Sequence, residues 1–414
     1  MSEIELVQCS RAGKEALQEP ESEPQRKWLP ESEPQRKWVA LVSDAVLLGN
    51  EDDRAQEIVH GTDMLLELKD PPLPSYLLLH PRVSTNTRRT SSPLSAYVLA
   101  ANNRSACILL QIVEGNRPDI FLCDTHCCTV TILPPLPSYL WSRPGIYIRP
   151  HLSIGLIADP YHRGHYVVAQ LQPTTSFHNP NRLLCYSTAK HQWFALQITR
   201  QTAHLYNPLS ENGVLAHDGR LWWVALAHGI FFCDPFTPVL QELRLRYLRL
   251  PADCHGYVAL EPRIRTLIHQ RRCVRPSEGQ LRFVEIHGLA YDDVLVDAPA
   301  NPTVRMWTLE DPERPDPWTL EYEVPFAEIW DNETYAHAGL PRGEVPHVAL
   351  VDPNDHCVVY FFQGSKLFGL DVRKKQVIAC KECLIDRDQV TLQSSRPIVH
   401  AWELPPPTAT YALG

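Results

Sequence analysis

Two cysteine-rich stretches and one histidine pair have the types and spacing that could do chemistry. Cys123-Asp124-Thr125-His126-Cys127-Cys128 packs three thiols and an imidazole into six residues, a donor set that suits Zn²⁺. The same stretch also reads as a tight hairpin. Its equivalents at Cys185 and Cys233 end apolar runs, which points to cysteine used as a small buried hydrophobe. Cys380-Lys381-Glu382-Cys383 has the spacing of a zinc or redox pair but lacks a second pair at a matching distance. In a strand its two thiols would face opposite sides. His162-Arg163-Gly164-His165 follows Asp159 in a turn, without the Glu between helical histidines that a zinc protease needs. Asp292-Asp293 reads as part of a solvated polar insertion. No nucleophile elbow, phosphate-cradling loop or dinucleotide fingerprint is present. The expectation is therefore binding rather than catalysis, with no metal and no cofactor.

Short strands must position these residues, because the chain reads as strand, turn and strand almost throughout. One unit recurs: an apolar strand, an Asp or polar turn, and a second strand. It occurs at Ile120–Asp124 with Thr129–Leu133, at Leu183–Ser187 with Gln192–Leu196, and at Ile230–Asp234 with Leu240–Leu245. It returns at Met306–Glu310 with Trp318–Val324, and at Leu367–Asp371 with Gln376–Cys380. Further strand pairs come before several of these hairpins. Ile157–Pro160 leads to Tyr166–Ala169, Leu350–Pro353 leads to Cys357–Tyr360, and Gly213–Ala216 turns at His217-Asp218-Gly219 into Leu221–Val224. These are four-stranded antiparallel modules of the kind that make propeller blades. A single such sheet leaves a face in water, whereas radial stacking buries both. Runs such as Val358–Phe362 are apolar enough for strands covered on both sides. In Trp222-Trp223 one indole must face each side of its strand, one toward the core and the other toward an inter-blade seam or the ring's mouth.

Five modules plus a degenerate first one, Trp38–His80, predict an all-β propeller of six blades over residues 38–405. Ile398–Trp402 is expected to pair with the N-terminal blade and close the ring, removing exposed edges. Pro71–Leu77 reads PPLPSYL and Pro134–Leu140 repeats it, an internal echo that supports a repeat architecture. Residues 1–37 stand apart. Pro20–Leu29 (PESEPQRKWL) is copied almost unchanged at Pro30–Val39 (PESEPQRKWV), which reads as a disordered, charged leader. Residues 406–414 read as a flexible tail.

Composition narrows the partners. The 37 prolines against 18 glycines favour short extended segments over long helices. A net charge of −9 argues against nucleic acid and against anionic membrane, which both want clustered Lys and Arg. No stretch approaches the ~18 apolar residues of a membrane span. Met1–Glu5 lacks the basic start and apolar run of a secretory signal, so the 12 cysteines are expected as free thiols in a cytoplasmic or nuclear monomer.

Several segments resemble a plant family, expanded in grasses, known only as domain of unknown function 1618. The residues that carry the resemblance are Ser75–His80, Gly213 through Asp234-Pro235-Phe236, Met306–Leu309, Phe326–Trp330, Gly339–Pro341, Val359–Phe362 and Ala401–Pro405. The resemblance spans nearly all of Trp38–Pro405. It implies a propeller-like fold, no established activity and no catalytic residues. Some relatives are similar to the propellers that follow F-box segments in plant ubiquitin-ligase adaptors, and here the leader is too short and polar to be an F-box.

The leading reading is a protein-interaction module that holds a protein partner through loops on one propeller face. The candidate contacts are Asp159, His162 and His165, then His217 and Asp218, then Trp330 and Asp331, and finally Asp352 and His356. Two alternatives stay open: a hydrolase-like enzyme or small-ligand binder with its site in the central channel, and a ubiquitin-ligase substrate adaptor working with a separate F-box subunit.

Overall fold

The computed structural model describes residues 37–49, 51–58, 60–83, 94–101, 106–114, 117–137, 153–172, 181–200, 212–237, 243–251, 262–288, 301–383 and 398–405. The leader up to Arg36, the tail and Asp292-Asp293 lie outside the described residues. Contacts divide the chain into Met1–Gln35 and Arg36–Gly414, and the described residues all belong to the second unit.

Strands dominate that unit. Near its start, β1 (Trp38–Val42) and β2 (Asp44–Leu47) precede a short helix α1 (Asp53–Glu57), then β3 (Met64–Glu67) and β4 (Pro74–Leu79). Four antiparallel groups then pair strand to strand in chain order. The first is β5 (Leu94–Ala101), β6 (Cys107–Glu114), β7 (Arg117–Asp124) and β8 (Thr129–Ile132). The second is β9 (Ile154–Ala158), β10 (Tyr166–Gln172), β11 (Asn181–Ser187) and β12 (Gln192–Arg200). The third is β13 (Val214–His217), β14 (Arg220–Ala225), β15 (Gly229–Cys233) and β16 (Leu243–Leu248). After helix α2 (Pro262–Arg271) comes the fourth: β17 (Arg272–Ser277), β18 (Gln280–His287), β19 (Thr303–Leu309) and β20 (Trp318–Pro325). Helices α3 (Phe326–Trp330) and α4 (Glu333–His337) separate it from a fifth group of the same kind: β21 (His347–Asp352), β22 (Asp355–Gln363), β23 (Lys366–Asp371) and β24 (Gln376–Glu382).

The last strand, β25 (Val399–Glu403), pairs antiparallel with β1 from Trp38↔Glu403 to Val42↔Val399. β1 in turn pairs in parallel with β4, and β4 pairs antiparallel with β3. One sheet therefore draws on both ends of the second unit, which leaves the β1 edge covered. β2 bridges β4 to β5, and the ends of β12 and β16 pair in parallel, so neighbouring groups merge at their margins.

Alternation sends each strand's side chains to two different cores. Leu221 and Trp223 of β14 join the second group's Val167, Leu171 and Cys185, while Trp222 and Val224 join the fourth group's Val274, Phe283 and Trp307. Both indoles are therefore core, neither at a mouth, and each is anchored: Trp222 Nε1 donates to the His217 carbonyl and Trp223 Nε1 to that of Ser153. The other junctions repeat the pattern. Leu109 packs with Leu156 and Val168, and Val284 with Phe361 and Phe368. Val42 and Val399 pack with Tyr360 and Leu367, and Leu41 and Trp402 with Ile108 and Phe121. Each group shares one apolar cluster with the group before it and another with the group after it, and the β25–β1–β4–β3 sheet joins the fifth group to the first. The first strands also approach closely: a Cβ on Gly155 of β9 would stand 2.5 Å from Val214 Cγ1 of β13.

One expectation changes. The stretch Glu328–Tyr335, around the Trp330 and Asp331 expected in a loop of the binding face, is not a loop. It is helical and fills the junction of the fourth and fifth groups, with Phe326, Ile329 and Tyr335 at most 1% exposed. Short apolar spacing at 326, 329, 330 and 335 carries that face, a helical period too brief to stand out beside strands. The PPLPSYL echo can be followed only in part. Pro74 opens β4, whereas Pro134–Pro137 are irregular chain after β8, and 138–140 lie outside the described residues. Of the strand expected at Leu240–Leu245, residues 240–242 lie outside the described residues and the rest belongs to β16, Leu243–Leu248.

Candidate functional site

The β9–β10 connection is a turn organised by a carboxylate. Asp159 Oδ1 accepts from the amides of Tyr161 (2.9 Å) and His162 (3.2 Å), and Oδ2 lies 2.9 Å from His162 Nδ1. Burial pushes the Asp159 carboxyl up, but the Tyr161 amide and the His162 ring and amide together outweigh it and hold it below the usual value. Asp159 is thus committed to shaping the loop, and it leaves Tyr161 72% exposed. His165 Nδ1 lies 3.3 Å from Thr188 Oγ1, which ties the loop to the adjacent hairpin.

The β13–β14 turn is Asp218-Gly219, both at positive φ (48° and 67°), the two-residue hairpin that an Asp-Gly pair favours. Asp218 is exposed and His217 is half-buried. Burial lowers the His217 pKa against the opposing pull of Asp218, so its ring is neutral at physiological pH.

At the β21–β22 end the sequence-predicted residues are less available. Asp352 is only 9% exposed. Its carboxyl accepts from the Asn354 amide at 2.8 Å, and burial raises its pKa to about 6. Little of this acid faces solvent, and its hydrogen bonds help to shape the turn. His356 stays half-buried, its Nδ1 2.6 Å from Glu278 Oε2 on the β17–β18 turn. Around it Arg282 lies 3.2 Å from Glu321, and Arg373 lies 3.4 Å from the same carboxylate. Trp330 packs half-buried against the core, and exposed Asp331 is ion-paired with Arg342. Trp330 is therefore likewise withdrawn from the surface set, and Asp331 sits in the helical segment between α3 and α4.

Metal-ligating types meet in one place among the described residues. Ligand atoms of Asp355, His356 and Cys357 lie within 4.8 Å of one another. Asp355 Oδ1 already accepts the Cys357 amide at 2.9 Å, and burial pushes the Cys357 thiol up, which disfavours the thiolate a metal requires. The cluster is accounted for as a hydrogen-bonded strand start. In the cysteine-rich hairpin, Cys123 is fully buried while Cys127 is exposed, and Asp124 Oδ1 accepts the His126 amide at 2.8 Å. Cys380 and Cys383 pack into different clusters.

A feature absent from the expectations lies between these loops. Arg220, Phe232, Cys233, Asp234, Thr237, Arg244 and Arg246 line an open cleft of about 630 Å³, within the size of ligand sites generally. The Arg220 guanidinium sits 5.7 Å from the Phe232 ring centroid, and Arg246 is paired with Glu313. Arg220 and Arg244 have no carboxylate partner among the described residues. Exposed Tyr161 packs edge-on against Phe236, 6.1 Å between centroids, which joins the β9–β10 turn to the residues after β15. The signal was in Leu243-Arg244-Leu245-Arg246, where alternation puts both arginines on one strand face. Their convergence with Arg220 depends on strand pairing, which residue spacing alone does not reveal.

Among solved structures, TolB from Acinetobacter baumannii is 11% identical over 76% of this chain and 58% of its own, with a TM-score of 0.35. The β-propeller domain of Cps50 (Swd1) from Myceliophteria thermophila is 11% identical over 72% and 88%, with a TM-score of 0.31. A chain of a nidogen/laminin complex is 12% identical over 74% and 84%, with a TM-score of 0.33. No curated protein matches the chain. No helix among the described residues is long and apolar enough to cross a membrane. Residues 223–360, about a third of the chain, match the model of a family described as a protein of unknown function (DUF1618), in support of the resemblance that the strand residues carry.

Proposed function

We propose that residues 38–405 form a six-bladed β-propeller that serves as a non-enzymatic protein-interaction module, a cytoplasmic or nuclear monomer holding an acidic segment of a protein partner. Five four-stranded groups, a sixth sheet drawn from both ends of the unit, and apolar clusters shared between successive groups support the blade count. Among the described residues the cysteines are free thiols, in keeping with a reducing compartment.

The observation that carries the reading is the arginine-lined cleft beside the β9–β10 and β13–β14 turns. In a chain of net charge −9, Arg220 and Arg244, which have no carboxylate partner among the described residues, meet at one cleft and favour an acidic peptide, with exposed Tyr161 nearby on Phe236. Arg and Tyr are also the residues that dominate interface energies. Asp159, His162, His165, His217, Asp218 and His356 then act as frame and rim.

The test is capture of partners from tissue extract by the wild type and by a Tyr161→Ala/Arg220→Glu/Arg244→Glu variant of unchanged circular dichroism. Loss of the wild type's specific partners, together with salt-sensitive binding of the recovered acidic segment, is expected. Retention of every partner by the variant refutes the assignment.

A further inference from the structure

The first strands of successive groups enclose a cavity of about 50 Å³, lined chiefly by Leu99 of β5, Leu156 of β9, Val214 and Leu215 of β13, Arg275 of β17 and His400 of β25. By that measure one water needs about 10–15 Å³, so there is room for a few waters or for one small ion. We infer that this cavity binds a single small anion, a halide or a carboxylate no larger than acetate, held by the Arg275 guanidinium.

Arg275 is 8% exposed, and a guanidinium keeps its charge in proteins. Its hydrogen bond is to the neighbouring Val274 carbonyl, from Nη1 at 2.9 Å. No carboxylate pairs with it among the described residues. The other arginines of the same sheet are matched: Arg272 with Glu285, Arg282 with Glu321, and Arg305 with Glu323. A desolvated cation without a counter-charge is costly, and removing water from both charges is tolerable only where they meet. The group beside it adds no negative charge. His400 Nε2 lies 3.2 Å from the Val98 carbonyl, which fixes the ring proton there, and burial, then Arg275 itself, holds its pKa down to about 3. The cavity wall is otherwise mostly apolar, so the remaining N–H donors of Arg275 are the recognition element. A guanidinium fork suits a carboxylate or a halide, and the small volume favours a small one. A halide or metabolite carboxylate from solution and an acidic side chain inserted by a partner share this chemistry.

The test is thermal unfolding of the full-length chain at constant ionic strength, set with sodium gluconate, which is too large for the cavity. Chloride, formate and acetate replace it stepwise. A saturable rise in Tm of roughly 2 °C or more is expected for a small anion, from mass action on a native-state site. Arg275→Gln should remove the response. Where that variant fails to fold, ³⁵Cl line broadening on the wild type, displaced by formate, reports the same site. Response to formate and acetate but not to chloride supports a carboxylate, including an inserted side chain; response to chloride as well supports a free ion. A Tm indifferent to anion identity, or a response that survives in Arg275→Gln, overturns the inference.

Discussion

Replacing Asp352 by Asn should stabilise the protein at neutral pH, with a size that depends on pH in a defined sense. The carboxyl sits where the ends of β21 and β22 meet the β17–β18 turn, with the Ser277 hydroxyl donating to the Asp352 carbonyl at 2.6 Å and the Glu278 amide to that of Pro353 at 2.8 Å. Burial, against the Asn354 amide that favours the ionised form, raises its pKa from 3.8 to about 6. That displacement corresponds to about 3 kcal/mol between the charged and neutral forms in the folded state. Above pH 6 both folded and unfolded chains carry the carboxylate, so the full cost is present. As the pH falls from 6 toward 4, the folded state binds the proton first and the cost is relieved. Asn carries no charge and keeps one carbonyl oxygen for the Asn354 amide, but it loses one acceptor, worth about 1 kcal/mol. The expected net gain of Asp352→Asn is about 1–2 kcal/mol at pH 7.5, shrinking toward zero or below by pH 4.5. Urea unfolding at both pH values, with unchanged m, measures it. A variant no more stable than wild type at pH 7.5, or a gap that does not vary with pH, refutes the placement of this acid.

Two further outcomes follow from the packing. Glu285→Ala should cost about 3–5 kcal/mol by leaving the buried Arg272 guanidinium unpaired, 2.5 Å from the lost oxygen. The double variant Arg272→Met/Glu285→Leu should recover most of that loss, and denaturant midpoints decide. Removal of residues 398–414 strips β25 from β1 and exposes the partners of Val399 and Trp402, 0% and 1% exposed. Each side chain represents about 1.5–3 kcal/mol of burial, and the freed edge invites association. Light scattering and loss of cooperative melting are expected, and an unchanged Tm in the shortened chain contradicts the closure.

The hairpins were legible because their determinants are local. Asp218-Gly219 encodes its turn in two residues, and the cysteines at 123, 185 and 233 end strands whose alternation directs them inward. The terminal pairing was also readable, since Ile398–Trp402 reads as a short, largely apolar strand that can cover a second edge of β1. What escaped was set by distance in the chain. The α3–α4 segment is a helical insertion whose polar residues, Glu328, Asp331 and Glu333, mimic a loop, and only its packing beneath Phe361 and Phe368 shows the apolar face. Asp352 has the look of a turn aspartate, and its burial and its hydrogen bond from Trp38 come from tertiary packing, the latter from far away in sequence. Single-residue type could not distinguish it from exposed Asp218.

The same distinction bears on function. Residues chosen because they are polar and lie in turns are mostly employed in holding those turns: Asp159 through its own loop amides, Asp352 through Asn354, Asp331 through Arg342. A side chain fully used within the molecule has little left to offer a partner. Among the described residues the groups without a carboxylate partner are cations that the sequence reading passed over because the chain as a whole is acidic: Arg220 and Arg244 at the cleft, and Arg275 in the small cavity. Net charge describes behaviour at long range, whereas recognition is decided by which local charges lack a partner. The anionic ligands proposed above for the two sites rest on that criterion. The cleft of about 630 Å³ admits a peptide and the cavity of about 50 Å³ a single ion.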